Sequence, residues 1–359
     1  MNDRPLRVGI VGANAERGWA KDAHVPALAK LPRFQIVAAS SRIPEVAEAA
    51  AKAFGAEHVF LDSLELVRSP EVDIVSVCVR VPQHFEIVMA ALEAGKHVFC
   101  EWPLGRTASE AEAMSDKTGQ TKACSIVGLQ GIGAPAIRRA SEIIRSNALG
   151  RVLSARLIVP TAGWAPVVPP FYAYLNDKTN GATLATIGAG HALGMLVRVL
   201  GKFVEVQAKG MIQHPKVRIV GTEEMIDRTC FDHLAIIGVH ESGCVTSMEA
   251  SSNRPLDAEF QFEVTGTSGA LRIRGIAGGG FQTAQLSLDS TISHEPPSPF
   301  TTDAKQPAAN VAELYTMLAD KIDGKPTEAP DFAEALYLHR LLEAIERASD
   351  SGQCQRIDY

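Results

Sequence analysis

Long apolar runs are missing from this chain. No stretch approaches the roughly 18 uninterrupted apolar residues that suggest a membrane-spanning helix. The opening Met1-Asn2-Asp3-Arg4-Pro5 passes into a strand pattern without the apolar centre of a secretion signal. A cytoplasmic protein with no membrane partner is therefore expected. An excess of basic side chains is also missing: 35 Lys and Arg face 41 Asp and Glu, a formal charge of −6. Without a Lys/Arg block there is no electrostatic footprint for a phosphate backbone, so nucleic acid is not an expected partner. The six cysteines, Cys78, Cys100, Cys124, Cys230, Cys244 and Cys354, form no C-x-x-C pair and have no His at metal-ligand spacing. Reduced thiols, and neither a disulfide framework nor a metal site, are expected. What remains is 359 residues, 46% hydrophobic and 21% charged. That is enough chain for about two domains with a sizeable core, and it points to a small molecule as the partner.

The first 130 residues alternate short apolar runs with helical patterns, which predicts βαβ units and a doubly wound parallel sheet of Rossmann type. The run Ile74 to Val79 is nearly continuous rather than alternating, so its strand should be central, with helices over both faces. From Gly150 onward the chain changes character. Strand patterns at Val152 to Val159, Phe203 to Met211, Thr229 to Val239, Val245 to Ser251, Ala258 to Thr265, Ala270 to Arg274 and Ala284 to Leu288 follow one another with few helices between. They predict an α+β domain with a large, open, mostly antiparallel sheet, giving domains 1–130 and 131–359. A helical insert is read at Gly188 to Leu200, a Pro/Ser/Thr-rich surface loop at Ser290 to Gln306, and closing helices at Asn310 to Ile322 and Phe332 to Ala348.

The first strand leads into Gly12-Ala13-Asn14-Ala15-Glu16-Arg17-Gly18-Trp19. A glycine turn opening a helix suits a dinucleotide, because small residues let the backbone approach a pyrophosphate at the positive helix end. An ordinary strand-to-helix turn is the alternative, since Asn14 stands at the second glycine position and Gly18 falls one residue late. At the end of the second strand, where an acidic residue would grip a ribose 2′-hydroxyl, the chain reads Ala38-Ala39-Ser40-Ser41-Arg42. Ser41 and Arg42 suit a 2′-phosphate instead, so NADP is favoured over NAD.

Four segments together resemble the Gfo/Idh/MocA oxidoreductase family. They are the glycine turn, the run Ile74 to His84 that includes Val79 and Arg80, the segment Ala94 to Pro103 containing Glu101-Trp102-Pro103, and the end pattern Asp331 to Gly352. Gly12 to Ala20, Glu101-Trp102, Gly128-Leu129-Gln130-Gly131, Asn180-Gly181, Gly190-His191 and Asp232-His233-Leu234 are similar to a subgroup that includes the yeast galactose-gene repressor, a nucleotide-binding sensor and not a working dehydrogenase. The resemblance implies a Rossmann domain, a bound nicotinamide cofactor and a homodimer or homotetramer assembled through the second sheet. It implies cofactor contacts at Gly12, Asn14, Gly18, Trp19, Ser41, Arg42, Val79, Arg80, His84, Glu101, Trp102 and Gln130. His84 is read as structural rather than catalytic.

Two departures bear on chemistry. The family's Glu-Lys-Pro lysine is Trp102 here, and an indole cannot exchange a proton at neutral pH. The family's Asp four residues before the His is Ile187. His191 is left as the main titratable candidate, either abstracting a hydroxyl proton as hydride leaves or merely capping a helix. Tyr174 and Lys178 are further proton-transfer candidates in a loop of which Trp164, like Trp102, offers a flat face to a sugar or ring. Three functions remain open: an NAD(P)-dependent oxidoreductase acting on a sugar-like or cyclic polyol hydroxyl or carbonyl, a nucleotide-bound regulator without turnover, and nicotinamide-assisted elimination or glycosidase chemistry. Fold kinship alone does not choose among them.

Overall fold

The computed structural model describes residues 4–252, 254, 258–276, 281–292, 298–299 and 306–357. The chain separates into two compact units: Met1–Gln130 with Pro307–Leu336, and Gly131–Gln306 with Tyr337–Tyr359.

The first unit is built on β1 (Leu6–Val11), β2 (Phe34–Ser40), β3 (His58–Phe60), β4 (Ile74–Val77), β5 (His97–Glu101) and β6 (Ser125–Gly128), ordered β3-β2-β1-β4-β5-β6. All their pairings are parallel. Every residue of β4 is buried, as its unbroken apolar sequence requires of a strand covered on both faces. The strand order reverses direction between β1 and β4, and in such sheets ligands bind in the crevice beyond the carboxyl ends at that switch point.

A single boundary near residue 130 misses one excursion. Residues 307–336 return to the first unit because the helix Gln306–Ile322 inserts Tyr315, fully buried, among Phe34, Phe99 and His24. Val127 N–H donates to Pro330 O at 2.8 Å, and the Arg33–Asp323 ion pair ties the same segment down.

The second unit carries β7 (Val152–Pro160), β8 (Val167–Val168), β9 (Phe203–Met211), β10 (Lys216–Ile219), β11 (Met225–Asp227), β12 (His233–His240), β13 (Val245–Ser251), β14 (Glu259–Gly266), β15 (Ala270–Ile276), β16 (Leu286–Ser290), β17 (Ser298–Pro299) and β18 (Gln355–Arg356). Nine of them form one sheet, β17-β16-β15-β14-β7-β13-β12-β9-β18, in which the β7–β13 join is parallel and the others antiparallel. Along β12, Leu234, Ile236, Gly238 and His240 are buried while Ala235 and Ile237 are exposed, the alternation of a sheet covered on one face. The covered face meets the carboxyl part of helix Phe332–Ser351, where Phe203 N–H donates to Tyr337 OH and Gly210 N–H to Ser349 Oγ. The remaining strands form a small sheet, β11-β10-β8, over Val168, Val217 and Ile219. Of the predicted loop from Ser290 to Gln306, residues 293–297 and 300–305 lie outside the described residues. Among the described residues no helix is long and apolar enough to cross a membrane.

Candidate functional site

At the carboxyl end of β1, Gly12 has φ +86°, and a Cβ there would lie 2.7 Å from Cys78 O and 2.9 Å from the Val79 side chain. Only glycine fits, because both the left-handed backbone and the close pass to the β4 exit exclude a side chain. The helix does not open directly from this turn, as the sequence suggested. Asn14 Oδ1 accepts from Glu16 N–H at 2.8 Å and Arg17 N–H at 3.1 Å, closing an extra loop over residues 14–17. Helical structure begins at Ala20 as a π-turn, Ala20–His24, followed by Val25–Leu28. Asn14 therefore does not simply replace a glycine; its amide side chain holds the loop. Gly18 has φ +99° with open space where a side chain would stand, and the indole N–H of Trp19 is shielded from solvent without a partner.

Ser41 and Arg42 follow β2. Ser41 N–H is taken by Phe60 O, whereas Arg42 is exposed ahead of helix Pro44–Phe54. Val79 and Arg80 form the exit of β4, Val79 half-buried beneath Gly12 and Arg80 exposed. His84 is a clasp. Its Nδ1 lies 2.9 Å from Pro103 O and its Nε2 3.0 Å from Val79 O, so the buried ring, donating from one nitrogen when neutral, stands between the loop after β4 and the cis Trp102-Pro103 turn after β5. Burial pushes its pKa down, against the opposing pull of the two carbonyls. Trp102 is 5% exposed, which places its ring in packing and not on an open face.

Glu101, at the end of β5, receives His24 Nε2 at 2.8 Å on one oxygen and Gln130 Nε2 on the other. The carboxylate occupies the space that a side chain at Gly128 would need, 2.7 to 2.8 Å from an ideal Cβ. Behind His24 stand Tyr315 OH at 2.8 Å and then Ser76 Oγ at 2.6 Å. The sequence reading omitted His24, Ser76 and Tyr315. A buried tyrosine on an amphipathic helix carries no local mark of its partners; the small Gly128 two residues before Gln130 was the one available signal. Gln130 is 1% exposed, and its Oε1 is buried without a partner.

These features fit a dinucleotide: a glycine turn at the switch point, open space over Gly18, and two buried polar atoms, Trp19 Nε1 and Gln130 Oε1, that need partners.

In the second unit, the turn Leu184–Ala189 runs into helix Gly190–Leu200, begun by a capping box between Thr183 and Thr186. His191 sits in the first turn of that helix, 6% exposed. No side-chain cap bond forms there, which corrects the alternative reading of His191 as a cap. Its Nδ1 is buried and unpartnered, and burial pushes its pKa down to about 3. The imidazole is therefore neutral at physiological pH. Tyr174 lies half-buried in the turn Pro170–Asn176, with Lys178 exposed just beyond. Trp164 is not an open platform. It is 3% exposed, donates to Leu175 O at 2.9 Å and lies against Gly188, bracing the Tyr174 turn to the segment that precedes His191.

The same loop is anchored from below. Arg228 and Asp232 form a fully buried ion pair: Asp232 also accepts from Gln213 and His214 N–H, and Arg228 donates to Asn176 Oδ1 and Ala165 O. His233, the next residue, turns outward toward Glu249. The pair explains why the strand predicted from Thr229 begins only at His233.

A Rossmann sheet with its glycine turn at the switch point, followed in the chain by a large one-sided sheet, defines a class of NAD-binding two-unit proteins. Residues 6–129 match the model of an oxidoreductase family with an NAD-binding Rossmann fold, and residues 135–275 match that of the Gal80p C-terminal domain. The dehydrogenase aclE of Aspergillus oryzae is 30% identical, covering 99% of this chain and 99% of its own length. A levoglucosan dehydrogenase of Pseudarthrobacter phenanthrenivorans is 31% identical over 56% of this chain and 53% of its own. Among solved structures, a super-repressor mutant of Gal80p from Saccharomyces cerevisiae has a TM-score of 0.88 at 24% identity, covering 99% of this chain and 98% of that one. The chain belongs to the Gfo/Idh/MocA oxidoreductase family.

Proposed function

We propose that this protein is an NAD(P)-dependent oxidoreductase that moves a hydride to or from a hydroxyl or carbonyl of a sugar-like or cyclic polyol compound. The observation that carries the proposal is the Gly12 turn at the switch point, where backbone, loop and orphaned side-chain atoms leave a place for a dinucleotide. The full-length likeness to a dehydrogenase supports turnover, and the partial likeness to a levoglucosan dehydrogenase supports a sugar-like substrate. When bound, the nicotinamide supplies hydride exchange; the protein supplies position and proton handling. Gly12, Asn14, Gly18 and Trp19 hold the diphosphate end. Val79, Arg80, Glu101 and Gln130 line the nicotinamide end, with His84 fixing two of its loops.

His191 accepts the substrate hydroxyl proton at its unpartnered Nδ1. Tyr174 and Lys178 stand in the second place for that role. Arg42, exposed after β2 with no carboxylate between Ala38 and Ile43, directs the preference toward NADP. The open face of the nine-stranded sheet, with Ile237 and Val245 exposed, is the surface for a homodimer or homotetramer, and six free thiols suit the cytoplasm. The test follows nicotinamide absorbance while stripped protein, nucleotide and a panel of polyols and sugars are mixed. A substrate-dependent change supports the proposal; bound nucleotide with no change across the panel opposes it.

A second proposal, a nucleotide-bound regulator, is favoured by Trp102 and Ile187 at two catalytic positions and by the match to the Gal80p C-terminal domain. It predicts capture of one specific protein with an affinity set by NAD(P), and no turnover. Product release without net change in NAD(P)H would mark elimination or glycosidase chemistry instead.

A further inference from the structure

The segment 165–176 of the second unit carries Tyr174 and leaves Val167 and Phe171 exposed, yet one side chain closes it at both ends. A guanidinium offers five N–H donors in a rigid planar fork. Arg228, its side chain fully buried, uses that fork in three directions: Nη2 donates to Ala165 O at 2.7 Å, Nε to Asn176 Oδ1 at 2.9 Å, and Nη1 to Asp232 Oδ2. The fork thereby sets the spacing between the first and last residues of the loop. The main-chain oxygens of the turn Pro170–Asn176 are held as well. Asn176 Nδ2 donates to Tyr172 O at 3.1 Å, Asn180 Nδ2 to Tyr174 O at 2.9 Å, Trp164 Nε1 to Leu175 O at 2.9 Å and Thr229 N–H to Asn176 O at 2.9 Å. A loop that swings open over a substrate must break such ties at about 1 kcal/mol each, and so keeps few of them. Trp164 extends the same body to His191, because its ring stands 3.6 Å from where a Cβ at Gly188 would lie, in the turn that runs into the His191 helix.

We propose that the loop 165–176 is a preset wall of the substrate site that His191 serves, and that Arg228 is the positioning residue that presets it. Tyr174 stands in place before a substrate arrives, and the wall selects the ring that fits against it rather than closing over it as a lid. The inference rests on the oxidoreductase reading above and deepens it by naming what fixes the substrate side of the site.

The experiment has two arms, both on the full chain. In the first, hydrogen exchange is followed by mass spectrometry. Amides 166–176 of the ligand-free wild type should exchange slowly, and adding NADP or NAD with the sugar and polyol panel should change them by less than about twofold. Arg228→Lys keeps a cation beside Asp232 but has no fork to span Ala165 and Asn176. It should speed those amides about tenfold and leave β12 within about twofold of wild type. The second arm is steady-state kinetics on a substrate that wild type turns over. Arg228→Lys should raise KM about tenfold with a much smaller change in kcat, the loss of a preformed contact. Tyr174→Ala should raise KM by a similar factor in wild type and by no more than about twofold further in Arg228→Lys, because the two substitutions remove the same wall. A lesion that only lowered the folded fraction would reduce kcat and leave KM alone. The inference is overturned by loop amides that exchange fast in free wild type and slow when ligands are added, by Arg228→Lys with wild-type KM, or by KM effects of the two substitutions that multiply. Should wild type turn over no member of the panel, the oxidoreductase reading fails, and the exchange arm still decides whether the loop is preset. If Arg228→Lys does not fold, Asn176→Ala, which cuts the same tie from the loop side and leaves the ion pair intact, takes its place in both arms.

Discussion

Two histidines, one buried in each unit, are held differently. In the first, Glu101, His24, Tyr315 and Ser76 satisfy one another in a continuous chain, and the unpaired atoms Trp19 Nε1 and Gln130 Oε1 stand where a ligand is expected. In the second, His191 is held by burial alone, with a depressed pKa and no partner at Nδ1. A wired group keeps its orientation before any ligand arrives. A group held only by burial keeps a protonation state and must take its orientation from what binds. The chain around Glu101 is thus fixed by mutual hydrogen bonds, and His191 by packing.

The sharpest way to break this contrast is to remove a wired charge from the second unit and see whether the His191 segment survives. Asp232→Ala leaves Arg228 buried and unpaired, which should cost about 4 kcal/mol in urea unfolding. The loop bearing Tyr174 should loosen first, read by hydrogen exchange. Next comes Gly12→Ala, which places a Cβ against Cys78 O in a left-handed backbone. A loss of about 3 kcal/mol is expected, with dinucleotide binding abolished in calorimetry.

A third prediction concerns pH. In the unfolded chain His191 titrates near its ordinary value of about 6.5, whereas in the folded protein it remains neutral down to about pH 3. Between those limits the unfolded state binds more protons, so this residue makes stability fall as pH is lowered, by about 1.4 kcal/mol per pH unit. His191→Phe should remove that share of the slope between pH 6 and pH 4, to about the same extent. The same variant should reduce turnover about 100-fold or more while leaving nucleotide affinity within a factor of about two. Unchanged turnover would move the proton to Tyr174 or Lys178. The smallest effect is expected at the exposed Arg42. Arg42→Ala should weaken NADPH about tenfold, one charge-assisted contact, and leave NADH unchanged; equal affinities in wild type would remove the NADP preference.

Which parts of this were legible in the sequence follows from how local their causes are. The strands Phe203–Met211 and Val245–Ser251 fall where alternation placed them, and the buried β4 declares itself by its unbroken apolar run. The loop at residues 14–17 was hidden because the role of Asn14, bonding two amides within three residues, looks in sequence like a damaged glycine motif. The return of residues 307–336 to the first unit was hidden for the opposite reason. It is caused by Tyr315 meeting Ser76 and His24 from more than 200 positions away, and no window along the chain contains that contact. Trp164 and Trp102 were misjudged as open faces because a tryptophan's polar N–H finds a buried acceptor as readily as a wet one, as Trp164 does at Leu175 O. Of the candidate site, the sequence offered residue types, His191 above all, but not their environment: burial sets its protonation state, and burial is a tertiary property.

The measurement closest to the central claim is calorimetric titration of ligand-stripped protein with NADPH and NADH, run in parallel on Gly12→Ala. Binding of one nucleotide per chain by the wild type, absent from a folded Gly12→Ala, is the expected result; a wild type that takes up neither nucleotide would contradict the account.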